Sequence, residues 1–168
     1  MKYVLLFFLI APTFLFAQNN KPIGDFCIEN NAVVFRHIFM APSDSAPALA
    51  RKIMSYVSTR SGISNVVQNG LIITGNYDEI RGEVFTYRET KADFSIEIKN
   101  GKYRVTILNM LNNNNMNGAL WSFNFMYIKD NGTDWRNDAL SDLNDLGAFH
   151  KTFINVFTLN QKTDTSNW

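Results

Sequence analysis

Apolar and polar residues alternate most regularly in residues 94–108, where the sequence reads FSIEIKNGKYRVTIL. Asn100-Gly101 divides this stretch into two runs, and such a pair favours a two-residue type I′ turn. Counting outward from the turn pairs apolar residues on one side: Ile98 with Tyr103, Ile96 with Val105 and Phe94 with Ile107. On the other side Glu97 faces Arg104 and Ser95 faces Thr106. The pattern predicts an antiparallel hairpin that covers a core with one face and leaves the other face open.

Further strands are predicted on both sides of this hairpin. Residues 32–40 (AVVFRHIFM) are rich in β-branched and aromatic residues with apolar groups on both faces, which indicates an interior strand. A second Asn-Gly pair at residues 69–70 predicts a hairpin with Val67 opposite Ile72 and Asn65 opposite Thr74. Residues 78–82 then read as a polar bend, and residues 82–88 as a strand or an extended loop.

After the central hairpin, residues 111–118 contain NNNN and read as a surface loop. Residues 119–127 (ALWSFNFMY) alternate again, which predicts a strand with an aromatic row on one side and Asn124 on the other. The aromatic row consists of Trp121, Phe123, Phe125 and Tyr127. This row could bind a sugar or an apolar partner, although aromatic side chains more often pack into a core.

Two segments have helical spacing. The first has one apolar stripe, formed by Ala46, Leu49, Ala50, Ile53 and Val57. Asp44 or Ser45 can cap its N-terminus, and Pro47 lies in its first turn. The second runs from Asp138 or Ala139 to about Leu159, with a stripe formed by Leu143, Leu146, His150, Phe153 and Phe157. The order β-α-β-β-β-β-α predicts a two-layer α+β domain with both helices packed on one face of an antiparallel sheet.

The N-terminus has the pattern of a secretory signal peptide. Lys2 precedes an apolar run that ends at Ala17, and we expect cleavage after Ala17. The run is interrupted by Pro12 and is shorter than the roughly 20 residues of a membrane-spanning helix. Cys27 does not lie at the cleavage junction, so a lipoprotein anchor is not supported. The predicted organisation is a signal peptide (1–17), a leader (18–31), one domain (32–160) and a flexible tail (161–168), in an exported periplasmic or secreted protein.

Charge and reactive residues narrow the function classes. The formal net charge of +1 falls to about zero without Lys2, which disfavours nucleic acid or anionic lipid as the partner. The single cysteine excludes an internal disulfide, and Cys27 is most simply a small buried residue. The two histidines have no metal-ligand spacing, and the common catalytic and nucleotide-binding motifs are missing. We therefore expect no catalytic residues, no metal and no cofactor.

Five segments carry a resemblance to a known family: VVFRHIF, ALARKIMSYVS, LIITGNY, FSIEIKNGKYRVTILN and ALSDLNDLGAFHKTFINVF. Together they resemble an exported Bacteroidota family of domains of unknown function with a TBP-like fold. The resemblance implies a curved antiparallel sheet backed by two helices, with an insertion at residues 111–137. It provides no catalytic or binding residue to transfer, and a shared fold does not imply DNA binding.

These observations favour a non-catalytic binding module of the cell envelope, whose partner is an envelope protein or a glycan. Its candidate binding residues are Ser95, Glu97, Arg104 and Thr106 on the open face, with Trp121 and Asn124 beside the aromatic row. One alternative is a small hydrolase or carbohydrate-active enzyme that uses carboxylates such as Glu97 with a loop aspartate. Another is a structural homo-oligomer joined through a free edge strand. The open face can also be an ordinary solvated surface.

Overall fold

The computed structural model describes residues 21–81, 88–113, 119–138 and 141–159. Within these ranges the elements are β1 (Phe26–Glu29), β2 (Ala32–Met40), α1 (Ala46–Ser58), β3 (Ile63–Asn69), β4 (Ile72–Arg81), β5 (Arg88–Lys99), β6 (Lys102–Asn113), β7 (Trp121–Ser122), α2 (Phe123–Tyr127) and α3 (Leu143–Phe157). The strands form one curved, open antiparallel sheet in the order β1-β2-β6-β5-β4-β3, with β7 beside the end of β6. The predicted α+β class is therefore confirmed.

Two features of the predicted organisation fall outside these ranges. The predicted signal peptide (1–17) and the predicted tail (161–168) lie outside the described residues. No helix in the described part of the chain is both long and apolar enough to cross a membrane.

The β5–β6 hairpin has the predicted register. Ile98 pairs with Tyr103, Glu97 with Arg104, and the remaining predicted pairs follow from these. The turn itself differs, because Gly101 has a φ of 72° while Asn100 does not have a positive φ, as a type I′ turn requires. Instead, the Asn100 side-chain oxygen accepts a hydrogen bond from the Ala46 backbone N–H at 2.8 Å. The turn thus supports the first residue of α1.

The two long helices, α1 and α3, lie on the same face of the sheet, which we call the covered face. The predicted stripe of α1 is entirely buried and belongs to the same core as the alternate residues of β2, β4, β5 and β6. Phe153 of α3 packs against Phe35 with ring centroids 5.2 Å apart. The Tyr103 hydroxyl donates to the Phe157 carbonyl at 2.8 Å, and burial raises the pKa of Tyr103 to about 12. These contacts fix the end of α3 against β6.

The predicted leader (18–31) is wrong for much of its described part. Residues 26–29 form β1, which pairs with β2, and Phe26 is completely buried. The two strands are joined by Asn30 and Asn31, both with positive φ. Asparagine tolerates this conformation better than most residues, so Asn-Asn makes here the two-residue turn for which Asn-Gly is the usual sequence in proteins.

The predicted register of the β3–β4 hairpin is also wrong. Asn69 pairs with Ile72, and Val67 pairs with Thr74 instead of Ile72. Gly70, with a φ of 62°, is the first of two turn residues, whereas Leu71 has no positive φ. This is the type II′ pattern, in which only the first central residue needs a positive φ. Asn65, with a φ of 51°, lies where the register of β3 shifts, so the predicted pair of Asn65 with Thr74 is not formed.

Two predicted loops continue as strands. The polar bend at 78–82 is wrong up to residue 81, since β4 continues there and pairs with the start of β5. Asp78 lies opposite Lys91, and their charged groups approach to 3.7 Å, so opposite charges support a polar extension of the sheet. The surface loop predicted at 111–118 is wrong for residues 111–113, which belong to β6. Residues 82–87 and 114–118 lie outside the described residues.

The strand predicted at 119–127 is wrong beyond Ser122. That residue caps α2, its hydroxyl accepting from the Phe125 backbone N–H at 3.3 Å. Phe123 and Tyr127 are buried together one helical turn apart, whereas Phe125 is 56% exposed. Five residues are too few to distinguish the period of a helix from that of a strand, so the same aromatic residues fit both patterns.

The last helix begins later than predicted. It starts at Leu143, and the Asp142 carboxylate accepts from the Asn144 N–H at 2.9 Å. The prediction of a start at residue 138 or 139 is wrong because Asp142 acts as the cap instead of lying within the helix. Residues 139–140 lie outside the described residues.

Candidate functional site

The open face is the side of the sheet opposite the helices. The structure places Ser95, Glu97, Arg104 and Thr106 together on this side, although Thr106 is buried among its neighbours. Arg104 Nη2 lies 2.7 Å from each carboxylate oxygen of Glu97. The two side chains are 42% and 41% exposed. They therefore lie on the surface, as the hairpin register predicts.

A second ion pair extends this charged region onto the first two strands. Arg36 of β2 binds both carboxylate oxygens of Glu29 of β1, with Nη2 and Oε2 2.9 Å apart. The hydrogen bond from Arg36 lowers the pKa of Glu29, and the bond to Glu29 raises the pKa of Arg36. The Arg104 charge also lowers the pKa of Glu29, and the Glu97 charge raises that of Arg36. The four groups thus form one charge-compensated network across β1, β2, β6 and β5.

Cys27 lies next to this network. Its sulfur is 3.3 Å from Glu29 Oε1. Burial, followed by the hydrogen bond and the negative charge of Glu29, raises the pKa of Cys27 to about 11. The thiol is therefore protonated at neutral pH, which makes it a weak nucleophile and a weak metal ligand.

Apolar side chains surround the charged network on the open face. They are Val67, Ile72, Ile38 and Met40, and all four are exposed. Ile38 lies opposite Arg104, and Met40 lies opposite Lys102. Neutralised charges bordered by exposed aliphatic groups are a composition found in protein interfaces, which are enriched in methionine and arginine.

The other two predicted binding residues lie elsewhere. Trp121 is partly buried in β7, and its ring contacts Phe125 at a centroid distance of 5.3 Å. The Asn124 side-chain oxygen accepts from the Val33 backbone N–H at 2.8 Å, which ties α2 to β2. The predicted aromatic row does not exist, and the Asn124 oxygen has a structural role.

A cluster of three polar side chains lies at the rim of the covered face, and we call it the Asp–His–His cluster. Its members are Asp25, His37 and His150. A single oxygen of Asp25, Oδ2, lies 2.7 Å from His37 Nδ1 and 2.7 Å from His150 Nε2. The side chains are 28%, 31% and 34% exposed, so solvent reaches all three.

Three different elements position these groups. Asp25 follows Gly24 in a tight turn closed by reciprocal backbone hydrogen bonds between Ile23 and Phe26. The Arg36 N–H donates to the Asp25 carbonyl at 2.9 Å, which fixes this turn against β2. A Cβ on Gly24 would lie 3.3 Å from the His150 ring, so glycine allows close approach of the turn to α3.

Sequence reasoning missed this cluster. Asp25 falls in the supposed leader, and the two histidines are 113 residues apart along the chain. One signal was available: His37 shares a strand face with Phe35 and Phe39, and His150 falls in the apolar stripe of the last helix. Each histidine thus shares a face with phenylalanines that a core would bury, so both could have been placed on the core side of the sheet.

The alternative of a hydrolase that uses carboxylates requires two acidic groups facing each other across a cleft. An open cleft of about 880 Å³ is lined by residues of the loop after α1, of β3 and β4, and of α3, including Asp78 and Glu79. These two residues are consecutive in β4, so their side chains point to opposite faces of the sheet. Glu97 lies on a shallow surface and is bound to Arg104. No pair of carboxylates facing each other across a cleft is seen among these groups.

Comparison with solved structures relates the fold to bacterial proteins. The chain is similar to a TBP-like protein from Parabacteroides distasonis, with a TM-score of 0.58 and 16% identity over 77% of this chain and 92% of that one. It is also similar to a DUF4468 family protein from Bacteroides ovatus, with a TM-score of 0.52 and 13% identity over 80% and 84% of the two chains. No family model and no curated protein matches the sequence. At these identities the likeness shows the fold alone, and the predicted TBP-like fold is confirmed.

Proposed function

We propose that this protein is an exported, non-catalytic binding module of the cell envelope that docks an envelope protein on its open face. The observation that carries the proposal is the exposed apolar border of Ile38, Met40 and Ile72 around an internally compensated charge network. Because each of the two arginines already binds a carboxylate, the charges offer orientation more than net attraction. The aliphatic side chains supply the area that a partner can bury.

A protein partner is favoured over a glycan by the composition of the open face. Sugar binding commonly uses an aromatic ring beside polar groups. The described strands present aliphatic side chains on this face. The aromatic residues of the predicted row do not share one surface, because α2 buries Phe123 and Tyr127 and exposes Phe125. The aromatic row that suggested a glycan partner is therefore not formed.

Export is supported by the basic start and apolar run before Ala17. Cell fractionation in a Bacteroides host, followed by N-terminal sequencing, tests this part. We expect a periplasmic or secreted chain that begins at Gln18. A cytoplasmic chain with an intact N-terminus would contradict it.

Binding is tested by placing a photo-crosslinking amino acid at Met40 and, as a control, at the exposed Lys151 of α3. We expect a discrete crosslinked envelope protein from Met40 and none from Lys151. The captured protein, once purified, should bind the wild-type chain saturably. Its affinity for the Ile38→Asp variant should be at least about tenfold lower, since a charge buried in an apolar contact is costly.

Phe125→Asp is the matched control for Ile38→Asp, because Phe125 is 56% and Ile38 53% exposed. We expect Phe125→Asp to retain binding. Repeated failure to crosslink any protein from Met40 would contradict the proposal. A crosslink to a second copy of this chain would instead support the homo-oligomer and overturn the envelope partner.

A further inference from the structure

We propose that Asp25, His37 and His150 form a binding site for one divalent transition-metal ion, with Zn²⁺ as the best-fitting ion. Two imidazole nitrogens and one carboxylate oxygen are a ligand set that Zn²⁺ and related ions accept. One ligand atom from each residue lies within 4.8 Å of the other two. This site is independent of the open face, since His37 lies on the opposite side of β2 from Ile38.

The convergence of three atoms distinguishes this arrangement from an ordinary pair of histidine–carboxylate hydrogen bonds. A carboxylate has two oxygens, and two imidazoles can bind one each. Here both nitrogens lie 2.7 Å from the same oxygen, Asp25 Oδ2. Asp25 Oδ2 and the two imidazole nitrogens therefore form a compact group of three ligand atoms, all within 4.8 Å of one another, and an ion can bind between them.

The spacing fits an ion after a small adjustment. Tetrahedral zinc has ligand distances of about 2.0–2.2 Å, which separates neighbouring ligand atoms by roughly 3.3 Å. The oxygen–nitrogen distances of 2.7 Å must therefore widen by about 0.6 Å, and the two nitrogens, which lie within 4.8 Å of each other, must come to the same separation of roughly 3.3 Å. Side-chain torsions of Asp25 and His150 can provide this without moving the backbone hydrogen bonds that hold the Gly24 turn.

The surroundings also suit a metal site. The His37 ring packs edge-on against Phe39 at a centroid distance of 4.5 Å, and the His150 ring packs against Phe35 at 6.0 Å. These aromatic neighbours hold the imidazoles in place and reduce competition from water on one side. The other side is exposed to solvent, so three protein ligands leave a fourth position for water or a donor group of another molecule.

The test uses the untagged full-length mature chain, because a histidine tag would itself bind zinc. Titration with Zn²⁺ in competition with a chromophoric chelator should show saturation at one ion per chain. Asp25→Asn, His37→Gln and His150→Gln should each weaken the affinity at least about tenfold. Asp130→Asn is the matched control, since Asp130 is fully exposed in a loop and should retain wild-type affinity. Mg²⁺ and Ca²⁺, which prefer oxygen ligands, should not compete.

A second readout avoids any loss of folding in the variants. The chain has two histidines, and both lie in the cluster. Imidazole ¹⁵N resonances of the wild-type protein therefore report on this site alone, and both residues should shift together when one equivalent of Zn²⁺ is added. Co²⁺ substitution should give the visible absorption of a four-coordinate ion.

Three results would overturn the proposal. The first is Zn²⁺ binding that does not saturate at one equivalent. The second is an equal loss of affinity in Asp130→Asn and Asp25→Asn. The third is unchanged imidazole resonances on Zn²⁺ addition, together with a lower melting temperature of metal-free His150→Gln. That combination would show that the cluster is a hydrogen-bonded structural link.

Discussion

Replacement of Gly75 by alanine is a direct test of how the covered face is packed. Gly75 of β4 lies opposite Phe94 of β5, and a Cβ at Gly75 would lie 2.6 Å from Phe94 Cζ and 3.0 Å from the Ser64 carbonyl oxygen. Overpacking of a core costs about 1–3 kcal/mol, whereas loss of glycine flexibility gains about 0.5–1 kcal/mol. We therefore expect Gly75→Ala to lower the free energy of unfolding by about 1–2 kcal/mol in urea denaturation.

The mechanism is checked by a double-mutant cycle with Phe94→Leu, which removes the ring atoms that the new methyl group meets. The double variant should be more stable than the sum of the single changes by about 1 kcal/mol or more. Gly147→Ala in α3 is the matched control, because a Cβ there meets nothing within 4 Å. It should stabilise the protein by about 0.5–1 kcal/mol. A stabilising effect of Gly75→Ala, or a coupling of about zero to Phe94→Leu, would refute this account.

Three further outcomes follow from the geometry. Native Cys27 should be alkylated by iodoacetamide at pH 8 about 20-fold more slowly than in the urea-unfolded chain, because a pKa of about 11 leaves little thiolate; an equal rate would contradict this. Arg36 lowers the pKa of folded Glu29, so the stabilisation is present above the unfolded pKa and is lost as pH falls through the folded pKa. The stability difference between wild type and Glu29→Gln, less than about 1 kcal/mol for this half-exposed pair, should therefore shrink in acid, and a constant difference would argue against the pair. Phe153→Ala should cost about 3–5 kcal/mol, whereas Phe125→Ala should cost less than about 0.5 kcal/mol. Similar costs for these two variants would mean that the burial assignment is wrong.

The sequence is sufficient to predict a structural element where the burial pattern and the local backbone geometry favour the same structure. In the β5–β6 hairpin, a shift of one residue would bury Glu97 and Arg104, so the alternation specifies the register even though the turn is not type I′. In α1 the apolar stripe and the proline in the first turn indicate the same helix, and all five stripe residues are buried in the observed one. Such segments leave few alternatives with comparable burial.

The sequence was insufficient where two local structures have similar patterns. Gly70 fits the second position of a type I′ turn and the first position of a type II′ turn, which differ by one residue in register. Residues 123–127 are too few to separate a helical from an extended period, and the cap from Ser122 and burial against the core select the helix. In these cases tertiary contacts decide the outcome.

The Asp–His–His cluster depends entirely on such tertiary contacts, because its three members come from a turn, a strand and a helix distant in sequence. Alternation along β2 gives this strand two distinct surfaces. His37 points toward α3 and the core rim, whereas Arg36 and Ile38 point to the open face. Partly buried polar groups are costly unless they are bound, so the cluster requires either its own hydrogen bonds or an ion. The open face has no such requirement, since solvent reaches its charges. A change at His37 should therefore affect stability or metal binding while leaving partner docking intact, and a change at Ile38 should do the reverse.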